Sequence, residues 1–214
     1  MRRPTPMLGE PDVTLTDWAL AVQATVLAVG VARGAPPSPA LIWWTTFFAS
    51  VAVAALLGGL VHGVFPGHAP LWRATMLAIG VTTLSAWAAG AHALGWPRVA
   101  RWIVGIAAAG FCGYAIAVLS GPAKFGLAVA HYAPGAVFLL VALARLAWRT
   151  RAKAIVLGVL GIVVLLAGSS VQALQIAVHP VYFTHNAVFH VIEMIALALL
   201  YPAAAWLGRR PSHV

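Results

Sequence analysis

Apolar residues along this chain fall into seven long runs, each near the roughly 20 residues that a helix needs to cross a bilayer. The runs cover residues 17–31, 41–65, 73–94, 102–119, 125–148, 152–178 and 186–207. Helix breakers gather between them, in Ala35-Pro36-Pro37, Pro66-Gly67-His68, Gly95-Trp96-Pro97, Ser120-Gly121-Pro122 and His179-Pro180. The remaining boundary is marked by charge, in Arg149-Thr150-Arg151-Ala152-Lys153, a run that cannot stay in hydrocarbon and so predicts an exposed turn. The pattern predicts an all-α integral membrane protein, a bundle of seven transmembrane helices. It is expected to form one polytopic domain over 1–214, with 1–14 as an N-terminal tail and 208–214 as a C-terminal one.

Composition agrees with the pattern. At 62% hydrophobic and 8% charged residues, with a mean hydropathy of +0.94, the chain cannot be a water-soluble globule, since such domains are about a quarter charged. The net charge of +9 changes the picture only through its distribution. Arg2, Arg3, Arg73 and Lys124 fall on the side of the N-terminus. Arg33, Arg98, Arg101, Arg145, Arg149, Arg151, Lys153, Arg209 and Arg210 fall on the other. Basic residues mark the cytoplasmic side, so the C-terminus is expected inside and the N-terminus outside. Spread over short turns, these charges meet lipid headgroups and form no dense stripe for nucleic acid.

Other features read as scaffold. Trp18, Trp43, Trp44, Trp72, Trp102, Trp148 and Trp206 flank the spans as an interfacial belt. Cys112, the single cysteine, lies mid-span and reads as a buried, inert thiol. Gly59-x3-Gly63 and Gly110-x2-Gly113 allow close helix approach, read first as packing within the chain, and Gln172 and Gln175 read as interhelical glue. The first span is expected to remain, because Glu10, Asp12 and Asp17 interrupt any signal-peptide pattern. Arg far outnumbers Lys, and Ala and Gly are abundant, which fits a GC-rich bacterial genome and an inner (plasma) membrane.

Threading the spans in order gathers the ionisable residues on one side. Asp17, His62, His68, His131, His179, His185 and His190 fall near the N-terminal side, with Glu193 one turn deeper, whereas only His92 and His213 fall opposite. Ionisable groups inside a bilayer are expensive and mark functional sites. At 3.6 residues per turn His190 shares a helix face with both Asn186 and Glu193. His62 and His190, with His131 or His185 as third ligand, have the residue types of a zinc site that keeps a position open for water. Asp17 or Glu193 then serves as the catalytic base. Duller readings stand beside these. Asp17 caps the first helix, His131 hydrogen-bonds within the core, and the loop residues His68 and His179 are solvated.

Two resemblances bear on these residues. Gly58-Gly59-Leu60-Val61-His62 and Asn186-Ala187-Val188-Phe189-His190 resemble motifs of the ceramidase and adiponectin-receptor-like (CREST) superfamily of seven-helix membrane hydrolases. The superfamily carries Ser-x3-His at the end of its second helix and His-x3-His in its seventh, and its histidines bind zinc. His62 and His190 match; Gly58 stands in place of the serine, Asn186 in place of the first histidine, and the third span holds no acid. The chain also resembles, over nearly its whole length, a bacterial family of uncharacterised seven-helix proteins, through Thr14-Leu15-Thr16-Asp17, Gly58-Gly59, His62-Gly63, His185-Asn186 and Phe189-His190.

Three function classes follow. The first is a zinc-dependent hydrolase of lipid-like amides or esters, with its site at the outer ends of helices one, two, five and seven. The second is a haem-binding electron-transfer protein, because facing histidines also ligate haem. The third is a non-catalytic subunit, or a protein binding a lipid or hydrophobic small molecule. Whether the chain works alone, as a homo-oligomer or within a membrane complex is left open by the sequence.

Overall fold

The computed structural model describes residues 8–209, which form seven helices and no strand. They are α1 (Pro11–Arg33), α2 (Pro39–Gly59), α3 (Ala69–Ala93), α4 (Pro97–Ser120), α5 (Phe125–Thr150), α6 (Lys153–Ala173) and α7 (His185–Gly208). All seven are long and apolar enough to cross a membrane. Proline opens α1, α2, α3 and α4, at positions where its missing N–H would have no helical partner anyway. Ser38 and His68 complete two of these starts by accepting the N–H of Leu41 and Leu71. His68 is therefore a helix cap, not merely a solvated loop residue.

Two boundaries depart from the hydropathy pattern. α1 begins at Pro11 rather than Asp17, so 11–14 belong to the helix and Asp17 lies inside it. α6 ends at Ala173 rather than 178, and Gln175, at φ 56°, turns the chain out of the helix. The loop that follows is stapled by His179, whose Nδ1 accepts the N–H of both Val181 and Tyr182. The charged boundary between α5 and α6 is the expected turn, with Arg151 in the left-handed region at φ 53°. Gly208 still belongs to α7. Arg2, Arg3 and His213, with most of the two tails, lie outside the described residues.

Helix adjacency defines the architecture. α1 packs on α2 and α7, α2 on α3, α3 on α5, α5 on α6, and α6 on α7. Six helices thus close a ring, and α4 lies outside it against α3. The position of α4 explains its surface: Ala100, Tyr114 and Val118 are its buried residues, while Trp102, Ile106, Ile116 and Leu119 are exposed. Such an apolar outer face is what lipid requires. Cys112 also lies on this exposed face, correcting the expectation of a buried thiol.

One large core fills the end of the ring away from the N-terminus. Trp44 and Phe48 stack there among Leu20, Val31, Leu139, Leu143, Ile155, Ile162 and Leu200. Trp44 is 0% exposed, so it belongs to this core and not to an interfacial belt. Trp102 and Trp148, in contrast, are exposed. The two glycine pairs also part company. A Cβ on Gly59 would strike the Trp18 indole and one on Gly63 would strike Thr14, so this pair seats α1 on α2. Gly110 and Gly113 on α4 face open space.

Candidate functional site

The site is assembled on α1, whose first turns are knitted by threonine. Thr14 Oγ1 donates to the Glu10 carbonyl at 2.7 Å and Thr16 Oγ1 to that of Asp12 at 2.8 Å. These bonds back onto the preceding turn spare the hydroxyls from being buried unpaired. Asp17 follows, only 4% exposed. A Cβ at position 58 would lie 3.0 Å from Asp17 Oδ2. The bare backbone of Gly58 therefore makes room for this carboxylate. The capping role for Asp17 does not hold, since it sits in the second turn.

α2 does not stop cleanly. Leu60–Val64 form a π-helical turn, in which the Phe65 N–H reaches back five residues to the Leu60 carbonyl. Turns of this kind inside helices often mark functional sites. The carbonyls of His62 and Gly63 take the N–H groups of Glu10 and Gly9 at 3.1 and 3.0 Å. His62 Nδ1 lies 3.0 Å from Glu10 Oε2. The chain before α1 thus lids the end of α2 and pairs its imidazole with an acid.

α7 meets the same region from the other side. Asp12 Oδ2 accepts both the N–H and the hydroxyl of Thr184, at 2.8 and 2.7 Å, fixing the residue that caps α7. Gln172 of α6 donates to Asn186 at 3.2 Å, which bears out interhelical glue for that glutamine. His190 then enters between α1 and α7, with Nδ1 3.0 Å from Thr16 Oγ1 and Nε2 3.4 Å from Asp17 Oδ1. Thr16 has one hydroxyl proton: with that proton on the Asp12 carbonyl, Nδ1–H donates to the hydroxyl, and Nδ1 accepts only when the hydroxyl turns away from Asp12 and the ring proton sits on Nε2, facing the carboxylate. Asp17 Oδ2 is buried and has no hydrogen-bond partner among the described residues.

These groups surround one cavity of about 730 Å³ inside the ring. Its polar end holds Asp17, His62, His185, Asn186, His190 and Glu193, with Tyr132, Ser169 and Gln172 close by. Its body is apolar, formed by residues such as Phe47, Val51, Ile79, Val129, Leu139 and Leu166. The lining residues come from the six helices of the ring, from the π-helical turn that carries His62 and from Gln175 just past α6, and none comes from α4.

Of the residues singled out in the sequence, Asp17, His62, His185, His190 and Glu193 line this cavity, while His131 does not. It lies on α5 facing α4, stacked on Tyr114 with ring centroids 4.3 Å apart. Tyr114 in turn donates to the Met76 carbonyl at 2.8 Å. His131 is thus separated from the cluster by the wall of the ring, and its buried Nε2 has no partner among the described residues. Sequence reasoning missed Glu10, Asp12 and Thr16, which hold His62, Thr184 and His190. The hydrophilic setting of Glu10 and Asp12 before the first apolar run made them look like tail.

Six helices, each long and apolar enough to cross a membrane, close around a cavity with carboxylates and imidazoles at one end. The chain belongs to a family of unknown function, DUF6962, whose model matches residues 13–208. That range contains all the cavity-lining side chains but not Glu10 or Asp12. No curated protein and no solved structure matches the chain.

Proposed function

We propose that this protein binds an amphipathic, lipid-like molecule inside its helix bundle. The observation that carries the reading is the cavity itself: about 730 Å³, apolar along its body and polar at one end. Sites for small organic ligands have this size and this mixture of many apolar and few polar groups. Mild extraction followed by mass spectrometry of bound lipids tests it, with Ala133→Trp as the comparison. Ala133 lines the cavity, and an indole there narrows it and obstructs the path of an acyl chain. The wild type is expected to retain a bound amphiphile that the variant loses, and equal retention would count against the reading. The basic residues favour a C-terminus in the cytoplasm, and the composition favours a bacterial inner membrane.

A second reading, a zinc-dependent hydrolase of lipid-like amides or esters, is favoured by the donor types. His62, His185 and His190 offer imidazoles, and Asp17 and Glu193 offer carboxylates, around one cavity. The remote resemblance to the CREST superfamily supports it through His62 and His190. Zinc takes such ligands, but it needs them converging on one point. Here His190 engages Thr16 and Asp17 through its two ring nitrogens, and His62 engages Glu10. Among the described residues no three His, Cys, Asp or Glu are grouped to hold a metal ion. The arrangement does not fit zinc as it stands, and no hydrolytic step is drawn through a metal. Elemental analysis and a visible spectrum of purified protein test zinc and haem together. About one zinc per chain, lost in His62→Ala and His190→Ala, would favour the hydrolase.

A further inference from the structure

The charges around the cavity bear on which amphiphile it takes. Among the described residues no Lys or Arg lines it, whereas two carboxylates do, Asp17 and Glu193. Two of the three lining imidazoles already have acidic neighbours, His190 in Asp17 and His62 in Glu10. His185 is the third, at the first turn of α7. Asp17 spends only one oxygen on His190, and Oδ2 is left buried without a partner among the described residues. A buried carboxylate oxygen lacking a donor is costly, and a ligand that brings one relieves the cost. The other polar groups nearby, Asn186, Gln172, Ser169 and Tyr132, can each accept as well as donate.

An anionic head here would meet two carboxylates and, among the described residues, no fixed positive charge. A head bearing N–H donors and a positive charge meets acceptors instead. Resting on the binding reading above, we propose that the cavity selects single-chain amphiphiles with a cationic, N–H-bearing head, seated against Asp17 and Glu193 with the chain in the apolar body. Gly58 is part of this selection, because its missing side chain leaves Asp17 space beside the cavity.

The test compares three probes of equal chain length and different head: dodecylammonium, dodecanol and dodecanoate. Binding to protein in zwitterionic nanodiscs is read from ligand-induced thermal stabilisation, with Ala133→Trp subtracting partition into lipid. Dodecylammonium is expected to bind at least tenfold more tightly than dodecanol, and dodecanoate most weakly. Asp17→Asn should erase most of the tenfold preference for dodecylammonium over dodecanol. Glu193→Gln should reduce the preference too, and it serves if Asp17→Asn does not fold. Dodecanol or dodecanoate binding as tightly as the ammonium would overturn the head-group selection but leave the binding reading intact. If none of the three binds above the Ala133→Trp background, both fall.

Discussion

Gly59 and Gly110 carry the same substitution into opposite surroundings, and the comparison isolates how α1 is held. At Gly59 an added Cβ lands on the Trp18 indole, a rigid group wedged between α1 and α2. Either the ring or α1 must shift, so Gly59→Ala meets the strain of overpacking, typically about 1–3 kcal/mol. Against this stands the gain of replacing a helical glycine by alanine, roughly 0.5–1 kcal/mol. The net expectation is destabilisation by up to about 2.5 kcal/mol, and relative to Gly110→Ala, which makes the same helix gain, by the full strain of about 1–3 kcal/mol. Gly110→Ala makes the same helix gain with nothing within 4 Å of the new methyl, so it should be neutral or slightly stabilising. For a chain of this size a kcal/mol moves the midpoint by roughly 2–4 °C. Thermal melts in detergent, followed by circular dichroism to avoid a direct effect on Trp18 fluorescence, should therefore separate the two variants by several degrees. Equal midpoints, or Gly59→Ala above Gly110→Ala, would refute close packing of α1 on α2 through Gly59.

Three further outcomes follow from the same geometry. Reporter fusions after residue 213 and within 66–71 should read cytoplasm and exterior respectively, and the reverse would invert the topology drawn from the basic residues. Asp12→Ala removes both bonds to Thr184; at about 1.5–3 kcal/mol for a hydrogen bond to a charged group, discounted for partial exposure, hydrogen exchange should rise several-fold at 184–188 and change little in α3. His131→Phe keeps the stack on Tyr114 and discards a buried nitrogen without a partner among the described residues, so stability should be unchanged or higher and ligand binding unaffected. Loss of ligand binding in that variant would return His131 to the site.

Much of the fold was legible because hydrocarbon imposes a simple rule on sequence, and α2, α3, α5 and α7 lie close to where the apolar runs put them. The start of α1 was not, because Thr14, Thr16 and Asp17 look hydrophilic while their polarity is consumed locally and against α7. The end of α6 was hidden for the opposite reason, since Leu174, Ile176 and Val178 prolong the apolar run past the helix and stand exposed in the loop. Depth alone brought Asp17, His62, His190 and Glu193 to one end. It gives no rotation about a helix axis, however, and so His131, at a similar depth, was grouped with residues that lie across the wall of the ring from it. Glu10 and Asp12 act on partners 52 and 172 residues away, and no local pattern signals such pairings.

On the reading proposed above, the ring holds a ligand in a cavity whose polar end is built by α1, the end of α2 and α7. An experimental map of the protein extracted in native lipid, with an antibody fragment added for size, tests it most directly. The account expects elongated density along Phe47, Val51 and Leu166, with its compact end beside Asp17, His190 and Glu193. A ring collapsed on itself, with side chains of α2, α5 and α7 filling the space and no density between them, would contradict it.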